Sequence, residues 1–596
     1  ERTTSYFRDR FTDLWGRRRE GPVRKLRAVI CRGVAEVTWG RAGLALLVGT
    51  VVFLTLVPLA MILYGTFTDG PPGTQASFTF ANYVEAFGSS DLYRSGLNSI
   101  AFALVAGALS FFIGCFLAWV TERTNVPLKT AIYFLVLIPF LLPGILATIS
   151  WIFLLSPTIG LLNQICVAVF GLTEPPFNIY SFPGLVVVIA LYSFPYIFIF
   201  TSAALELVSS EMEDAANILG AGAWRTMRRV TLPLALPAIL GGLIICFLEA
   251  IALFASPAMI AIPARFNVVT TQLFQFFGNP SRVEVAAAYA MPLLGVTVLL
   301  VLVQRLITHR KGFATLTGKG GERRPIDLGG WRWAVFGYAM FVAALSVFLP
   351  YVFLLQAAFA KAWGRGFSLD NLSLKNFHFV LFEHATAAQS VWNAFLYAGA
   401  AATAGVIITL GVAYIVARRL VPFGGVLGFL CVAPFVIPGV VLAIGFYAAY
   451  APPPLSLYGT ATILILAFTT RFLPIGYVNS SAALRSLNPE MEEAVRVLGG
   501  SRLTALRRVV APLLKRNLLG AWLLIFIPAT RELSSAIFLY GPGTKVVSVM
   551  IFDMSEEGNF EYLSALALIL QVLTLPLLWI GQKALGRDFM LRRTAT

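Results

Sequence analysis

The chain has 596 residues, of which 58% are hydrophobic and only 12% charged, and it carries a formal net charge of +16. Soluble domains average about 25% charged residues, so this composition and the mean hydropathy of +0.80 argue against a soluble protein. The basic residues lie between alternate apolar segments, as membrane topology requires, which argues against a nucleic-acid partner.

Six long apolar segments follow a basic N-terminal tail at 1–41. A helix needs roughly 20 apolar residues to cross a hydrocarbon core of about 30 Å, so each segment predicts a transmembrane helix. The six spans belong to a first transmembrane repeat at 42–307, and they lie at 43–66, 95–120, 130–155, 181–206, 236–262 and 284–306.

A polar linker at 308–330 separates this repeat from a second one at 331–584, and a basic tail at 585–596 ends the chain. Lys and Arg crowd both tails, the linker and the loops at 207–235 and 485–516, which places both termini in the cytoplasm. The fold class predicted is an all-α membrane protein with about 12 transmembrane helices in two parallel six-helix repeats. The second six spans lie at 332–358, 390–417, 424–450, 459–483, 517–541 and 562–583.

The two halves also repeat in sequence. Residues 211–220 (EMEDAANILG) recur as 490–499 (EMEEAVRVLG) at an offset of 279, and residues 139–144 recur as 434–439 at an offset of 295. Parallel repeats pack about an axis along the membrane normal. The repeat therefore predicts one central pathway between two similar halves.

The repeated loop between the fourth and fifth spans of each half carries the most specific motif. Acidic residues open a short helix, and Gly220 or Gly499 ends it, because glycine tolerates the left-handed backbone of a helix end. A basic helical stretch follows, and Pro233 or Pro512 lies near the start of the next span. Two such projections suit a partner that is itself two-fold.

This pattern resembles the EAA loop of binding-protein-dependent ABC importers of the type I fold. The matching residues are Asp214-Ala215-Ala216, Gly220 and Leu232-Pro233 in the first loop, and Glu493-Ala494-Val495, Gly499 and Ala511-Pro512 in the second. The resemblance implies a multi-pass permease of the bacterial inner membrane that docks two copies of an ABC ATPase and a periplasmic or lipid-anchored binding protein. It assigns ATPase coupling to Glu213, Asp214, Ala215, Ala216, Gly220, Pro233, Glu492, Glu493, Ala494, Gly499 and Pro512.

The sequence predicts no ATP site within the chain itself. No Gly-x-x-x-x-Gly-Lys-Ser/Thr loop occurs, and Gly318-Lys319-Gly320 lacks the required spacing. The five cysteines and three histidines have no metal-ligand spacing, and no nucleophile–base arrangement is evident. We therefore expect a transport subunit, not an enzyme, with ATP and Mg on the partner subunits and no cofactor or metal of its own.

Two further stretches bear on the cargo. Residues 531–534 (RELS) and 541–544 (GPGT) resemble the second half of ferric-iron importer permeases, a family whose chains also fuse two six-span halves. The first half departs from that family, with Leu253-Phe254-Ala255 in place of Asp-Phe-Gly. The resemblance implies ferric iron, and related permeases for sugar phosphates, phosphonates, polyamines or thiamine remain alternatives.

Polar residues within predicted spans are candidates for the pathway or its gate, because a charge at the bilayer centre costs roughly 2.5–3.5 kcal/mol on insertion scales. The alternative for the charged residues is an internal ion pair, for example between Arg471 and Glu532. The alternative for the asparagines is hydrogen bonding between helices. The candidates are Asn98, Glu249, Asn393, Arg471, Arg531 and Glu532.

Two other functions fit parts of the pattern. Twelve spans in two parallel halves also suit a secondary transporter driven by an ion gradient, although the paired glycine-centred loops favour an external ATPase. A membrane-integral enzyme or scaffold would need catalytic residues clustered at one interface, and the sequence offers none.

Overall fold

The computed structural model describes residues 42–70, 76–88, 90–141, 143–208, 210–278, 282–309, 325–366 and 368–585. The predicted N-terminal tail, most of the linker and all but the first residue of the C-terminal tail lie outside these ranges.

Among the described residues, each half contains twelve α-helices of very different lengths, and the second half adds two 3-10 turns at Trp363–Arg365 and Leu369–Asn371. The first half has α1 (Ala42–Gly65), α2 (Ala81–Gly88), α3 (Ser90–Arg123), α4 (Lys129–Leu141), α5 (Gly144–Leu155), α6 (Leu161–Phe170), α7 (Phe182–Leu207), α8 (Ser210–Ile218), α9 (Trp224–Ala252), α10 (Ala255–Ile260), α11 (Val269–Phe276) and α12 (Val283–His309). The second half has α13 (Trp331–Phe359), α14 (Lys375–His378), α15 (Ala385–Ala417), α16 (Gly424–Phe435), α17 (Gly439–Tyr450), α18 (Ala461–Arg485), α19 (Glu490–Val497), α20 (Arg502–Leu513), α21 (Lys515–Thr530), α22 (Ala536–Leu539), α23 (Val547–Glu556) and α24 (Phe560–Leu585).

The membrane spans are partly continuous and partly broken. Within the described ranges, nine helices are long and apolar enough to cross a membrane, and three bent pairs raise the number to 12. The bent pairs are α4 with α5 at 96°, α16 with α17 at 114° and α20 with α21 at 77°. The predicted count of about twelve spans is thus confirmed when each bent pair is taken as one span.

Proline explains the two sharpest bends. Pro143 and Pro438 stand directly before α5 and α17 with the same extended backbone, at ψ 134° and 142°. A proline lacks the N–H that would continue the preceding helix, so the helix stops and a new one starts in another direction. Nearly every residue of α5 and α17 is buried, which places these two half-length helices in the protein interior.

The first span of each half packs against the other half. Helix α1 lies on α17, and the hydroxyl of Tyr450 donates to the carbonyl of Phe53. A Cβ at Gly445 would lie 2.8 Å from the carbonyl oxygen of Pro58, so only glycine permits this approach. In the same way α13 lies on α5. The halves are therefore interlocked rather than merely adjacent.

The fifth and eleventh spans are shorter at one end than the sequence predicts. They were expected to run to 262 and 541, but α9 ends at Ala252 and the α20–α21 pair ends at Thr530. The sequence stays apolar beyond these ends because the segments that follow form α10 and α22, and every residue of these two helices is buried within the protein. Hydropathy alone cannot separate a segment buried in protein from one buried in lipid. As a result, Arg531 and Glu532 follow the helix instead of lying inside it.

Candidate functional site

Both repeated loops fold as a short helix, a glycine turn and a second helix, as the sequence predicts. Gly220 and Gly499 have φ of +80° and +83°, the left-handed conformation that glycine adopts without strain. The amide that follows each glycine closes the turn on the helix, from Ala221 to the Ala216 carbonyl at 3.0 Å and from Gly500 to the Val495 carbonyl at 2.8 Å. After the role that the sequence resemblance predicts for them, we call α8 and α19 the coupling helices, and the end of the bundle that carries them the coupling end.

The coupling helices present an apolar surface with no cover among the described residues. The last apolar pair before each glycine is exposed, and so are four residues of the motif, Asp214, Ala215, Glu493 and Ala494. Exposed apolar pairs of this kind mark interaction sites when they recur. Each pair is 86–87% exposed, and the residues are Ile218, Leu219, Val497 and Leu498.

Glu213 and Glu492 face the bundle instead of the surface. Glu213 accepts hydrogen bonds from Arg123 at 3.1 Å and from Thr231 at 2.6 Å. Glu492 is only 6% exposed and accepts from Tyr414 at 2.9 Å. Asp214 and Glu493, one position later in each helix, are exposed. One carboxylate of each coupling helix therefore faces the bundle and the other faces outward.

Pro233 and Pro512 lie where each basic helix leads into the bundle. Pro233 is within α9, just after a π-helical turn at Met227–Thr231. Pro512 is near the end of α20 and follows a π-helical turn at Leu506–Val510. A π-turn shifts the hydrogen-bond register, and such turns are frequent at functional sites. A π-helical turn followed by a proline therefore occurs at the coupling end of both halves.

Asn98 and Asn393 hold the loops at the opposite end, which we call the distal end. Asn98 donates to the carbonyl of Asn267 at 2.9 Å, just before α11. Asn393 donates to the carbonyls of Gly543 at 3.2 Å and Lys545 at 2.9 Å, just before α23. The two asparagines thus bind loop backbone at corresponding places in the two halves.

Lys545 makes a further contact in the same distal loop. Burial opposes its charge, but the hydrogen bond that it donates to Asp553 at 2.6 Å raises the pKa of Lys545 above its usual value. A raised folded-state pKa stabilises the fold below the ordinary lysine pKa of about 10.4, and this stabilisation is lost as pH rises through the folded value. The ion pair is therefore intact throughout the neutral range.

A cluster of phenylalanines joins the two halves at the distal end, and we call it the aromatic cluster. The Phe538 ring lies 4.8 Å from Phe277, 5.8 Å from Phe274 and 5.9 Å from Phe254, measured between centroids. Phe552 adds contacts at 6.0 Å to Phe254 and 6.1 Å to Phe274. These separations are typical of interacting rings. Phe254 and Phe538 are almost fully buried, so the cluster closes the space between the halves.

The charged pathway candidates gather near the break between α16 and α17. Arg471 donates to the carbonyl of Ile437 at 2.7 Å, one of the groups that the broken helix leaves without a helical partner. Glu532 accepts from the amide of Ser535 at 3.0 Å, at the start of α22. A Cβ at Gly439 would lie 3.3 Å from Glu532 Oε1 and 3.7 Å from Arg471 Cζ, so both groups face the same glycine.

The ion pair between Arg471 and Glu532, one of the two alternatives, is not formed in this structure. The ion pairs among the described residues are elsewhere, and the hydrogen bonds of Arg471 and Glu532 go to helix ends. Glu249 and Arg471 line one small cavity of about 20 Å³, between α9 of the first half and the α16–α17 break of the second. Arg531 follows α21 at the distal side of this region.

Two functional features were missed from the sequence. Arg123 and Arg418, the partners of Glu213 and Glu492, share the offset of 295 that relates Asn98 to Asn393, so the repeat itself contains the signal for them. The aromatic cluster carries a weaker signal: Phe274 and Phe552 correspond at an offset of 278, but the other three rings have no aromatic counterpart in the opposite half. No group of three or more potential metal ligands occurs in the part of the chain that the structure describes.

The family model for the inner membrane component of binding-protein-dependent transport systems matches residues 110–313 and 405–585. The chain belongs to this family. The double match agrees with the fused halves and with the two coupling helices. The protein is accordingly a multi-pass inner membrane permease of a binding-protein-dependent ABC importer, and it is the transport subunit of that system.

Relatives of this permease include named transport proteins. The ferric transport system permease protein FbpB of Actinobacillus pleuropneumoniae is 26% identical over 539 residues, covering 89% of this chain and 76% of that protein. A putative 2-aminoethylphosphonate transport system permease protein, PhnV of Salmonella choleraesuis, is 29% identical over 255 residues, covering 40% of this chain and 91% of that protein. Among solved structures, a bacterial ABC transporter involved in alginate import is similar at a TM-score of 0.40 and 18% identity, covering 47% of this chain and 99% of that one.

Proposed function

We propose that this permease is driven by two copies of a separate ABC ATPase, one on each coupling helix. The observation that carries the proposal is the pair of equivalent helices that end in exposed apolar residues at Ile218, Leu219, Val497 and Leu498. Burying such side chains against a partner is favourable by about 1.5–3 kcal/mol each for full burial. ATP and Mg would be held by the ATPase subunits, and this chain supplies the docking surface.

The transport cycle that fits this arrangement is alternating access. A partner can drive a change of state only if it binds one state more tightly than the other. ATP-dependent approach of the two ATPase subunits would move the coupling helices together and separate the halves at the distal end. The aromatic cluster is then the gate that opens, because its rings form an apolar contact between the halves at that end.

The cargo that we propose is ferric iron, delivered by a periplasmic or lipid-anchored binding protein. Support comes from the FbpB relative, which covers most of this chain, whereas the phosphonate relative covers less than half of it. The coupling end would face the cytoplasm, as the basic residues of both loops favour. Both chain termini are then cytoplasmic, and the distal end receives the binding protein.

The test is to purify the permease with its cognate ATPase and binding protein and to reconstitute them in proteoliposomes. We expect uptake of ferric iron that requires MgATP and the loaded binding protein. Mass spectrometry of the ligand that co-purifies with the binding protein would identify the cargo independently, and a sugar phosphate, phosphonate, polyamine or thiamine there would replace iron. Full-rate uptake from an ion gradient without any ATPase would contradict the ATP-driven mechanism.

A further inference from the structure

The second span of each half ends at the coupling side in an arginine bound to the acidic residue that faces the bundle. Arg123 ends α3 and forms an ion pair with Glu213 at 3.1 Å, and Arg418 follows α15 and forms one with Glu492. These arginines correspond at the offset of 295, and the carboxylates correspond at the offset of 279. The same contact therefore recurs in both halves although the sequences around it differ.

In the first half the contact ties several elements together. One terminal nitrogen of Arg123 binds Glu213, and the other donates to the carbonyls of Leu205 at 2.9 Å and Val208 at 3.2 Å, at the end of α7. Thr231, in the stretch that leads into the bundle, donates to the other oxygen of Glu213. Charge-assisted hydrogen bonds thereby fix the coupling helix α8 to α3 and α9, and they fix α3 in turn to the end of α7. Such bonds are stronger than neutral ones.

In the second half the carboxylate is more deeply buried, because the Glu492 side chain is 8% exposed and that of Glu213 is 23% exposed, whereas Arg418 is more exposed than Arg123. Arg418 donates through Nε to Glu492 Oε1 at 3.0 Å and also through a terminal nitrogen, while Tyr414 on α15 donates to Oε2 at 2.9 Å. Removing one partner of a buried ion pair leaves the other uncompensated, which is strongly unfavourable. The eight-residue α19 is too short to be a stable helix alone, so it depends on its contacts with neighbouring elements, and this ion pair is one of them.

The same two spans reach the distal loops. Asn98 on α3 and Asn393 on α15 lie 25 residues from the arginines, about 37 Å along a helix. Asn98 binds the loop before α11, and Asn393 binds the loop before α23. Helix α11 carries Phe274 and α23 carries Phe552 of the aromatic cluster. A single continuous helix in each half thus connects the coupling helix to the aromatic cluster.

We propose that Arg123–Glu213 and Arg418–Glu492 are the joints through which α3 and α15 transmit movement of the coupling helices to the aromatic cluster. The proposal rests on the proposed docking of ATPase subunits to α8 and α19. The four residues are positioning residues: they touch neither ATP nor cargo. Their loss should leave docking in place and disconnect it from the distal end.

The test compares Arg123→Gln and Arg418→Gln with Arg485→Gln in the reconstituted complex. Arg485 is an exposed arginine in the last turn of α18, at the same end of the bundle, and it serves as the matched control. We expect normal co-purification of the ATPase with both test variants and about a tenfold rise in ATP hydrolysed per cargo ion imported. We expect no change with Arg485→Gln.

A second set of variants decides the matter if a glutamine variant does not assemble. Tyr414→Phe removes one hydrogen bond to Glu492 but keeps the ion pair, and it should raise the ATP-to-cargo ratio by about two- to threefold. Arg123→Lys keeps the charge but not the branched hydrogen bonding, and it should fall between wild type and Arg123→Gln. An unchanged ratio of ATP hydrolysed to cargo imported in the assembled test variants would contradict the proposed role of the two ion pairs. A wild-type complex that binds no ATPase would contradict the proposed function instead.

Discussion

Two acidic residues stand side by side in each coupling helix, and the helix turns them toward different partners. Successive residues on an α-helix are rotated by about 100°, so Glu492 enters the bundle while Glu493 faces outward. The sequence motif assigns both acidic residues to the docking surface, because a motif gives the spacing of residues but not the direction in which their side chains point. The contacts with Arg418 and Tyr414 in the structure assign Glu492 to the interior.

The glycines that end the coupling helices give a direct test at the residue scale. Gly220→Val with Gly499→Val places β-branched residues at φ near +80°, which costs about 1–2 kcal/mol at each site. We expect normal membrane insertion, weaker ATPase co-purification and loss of coupled uptake. Gly222→Val is the control, because its backbone is not left-handed and a Cβ there would meet nothing within 4 Å. Normal uptake by the double variant would contradict the coupling role.

The aromatic cluster provides a second residue-scale prediction. Phe538→Ala removes the ring that contacts three others and should cost about 3–5 kcal/mol of local packing. We expect the distal end to leak, seen as loss of preloaded cargo from proteoliposomes without ATP. Phe382→Ala, at a ring that is 75% exposed, should not leak. Equal leak rates from the two variants would exclude the gate.

At the scale of single elements, the sequence predicts a span best where one apolar segment both crosses the bilayer and packs within the bundle. The spans at 95–120 and 390–417 fall within α3 and α15, whose apolar lengths exceed a bilayer crossing. The prediction is wrong at 253–262 and 531–541, because α10 and α22 are apolar for contact with protein. The contacts of the aromatic cluster could not be predicted for a related reason: its rings meet only when these buried segments fold back.

The distal loops depend on single side chains from the long helices. Asn393→Ala removes two hydrogen bonds to the backbone of Gly543 and Lys545 and should weaken the loop by about 1–2 kcal/mol. We expect the amides of residues 543–546 to exchange hydrogen about 5- to 30-fold faster. Asn479→Ala is the control, since Asn479 bonds only within its own helix, to the Ile475 carbonyl. Equal exchange rates in the wild type and in Asn393→Ala would show that the loop is stable without the hydrogen bonds from Asn393.

At the scale of the whole molecule, the interlocked first spans make the halves one unit. Cutting the chain within 310–324 and expressing both parts together should still give an assembled permease, because α1 packs on α17 and α13 packs on α5. Co-purification of the two parts measures this. The first part lacking 42–65 should recover much less of the second. Equal recovery would mean that the rest of the interface suffices without α1.

The parallel repeat and the twelve spans could be predicted from periodicity and internal similarity, but the exchange of first spans could not. Nothing in residues 42–65 distinguishes a helix that packs on its own half from one that packs on the other, because either neighbour presents an apolar face. That choice is made by shape, as the close approach of Gly445 to Pro58 shows.

The position of α1 against α17 also has a consequence for biosynthesis. The ribosome completes α1 about 385 residues before it completes α17, which at about 5–20 residues per second is an interval of roughly 20–80 s. Throughout that interval the nascent chain holds its first span in lipid without the surface that it will finally occupy. The last stage of folding is therefore a lateral association of segments already inserted, and it waits for translation of the second half.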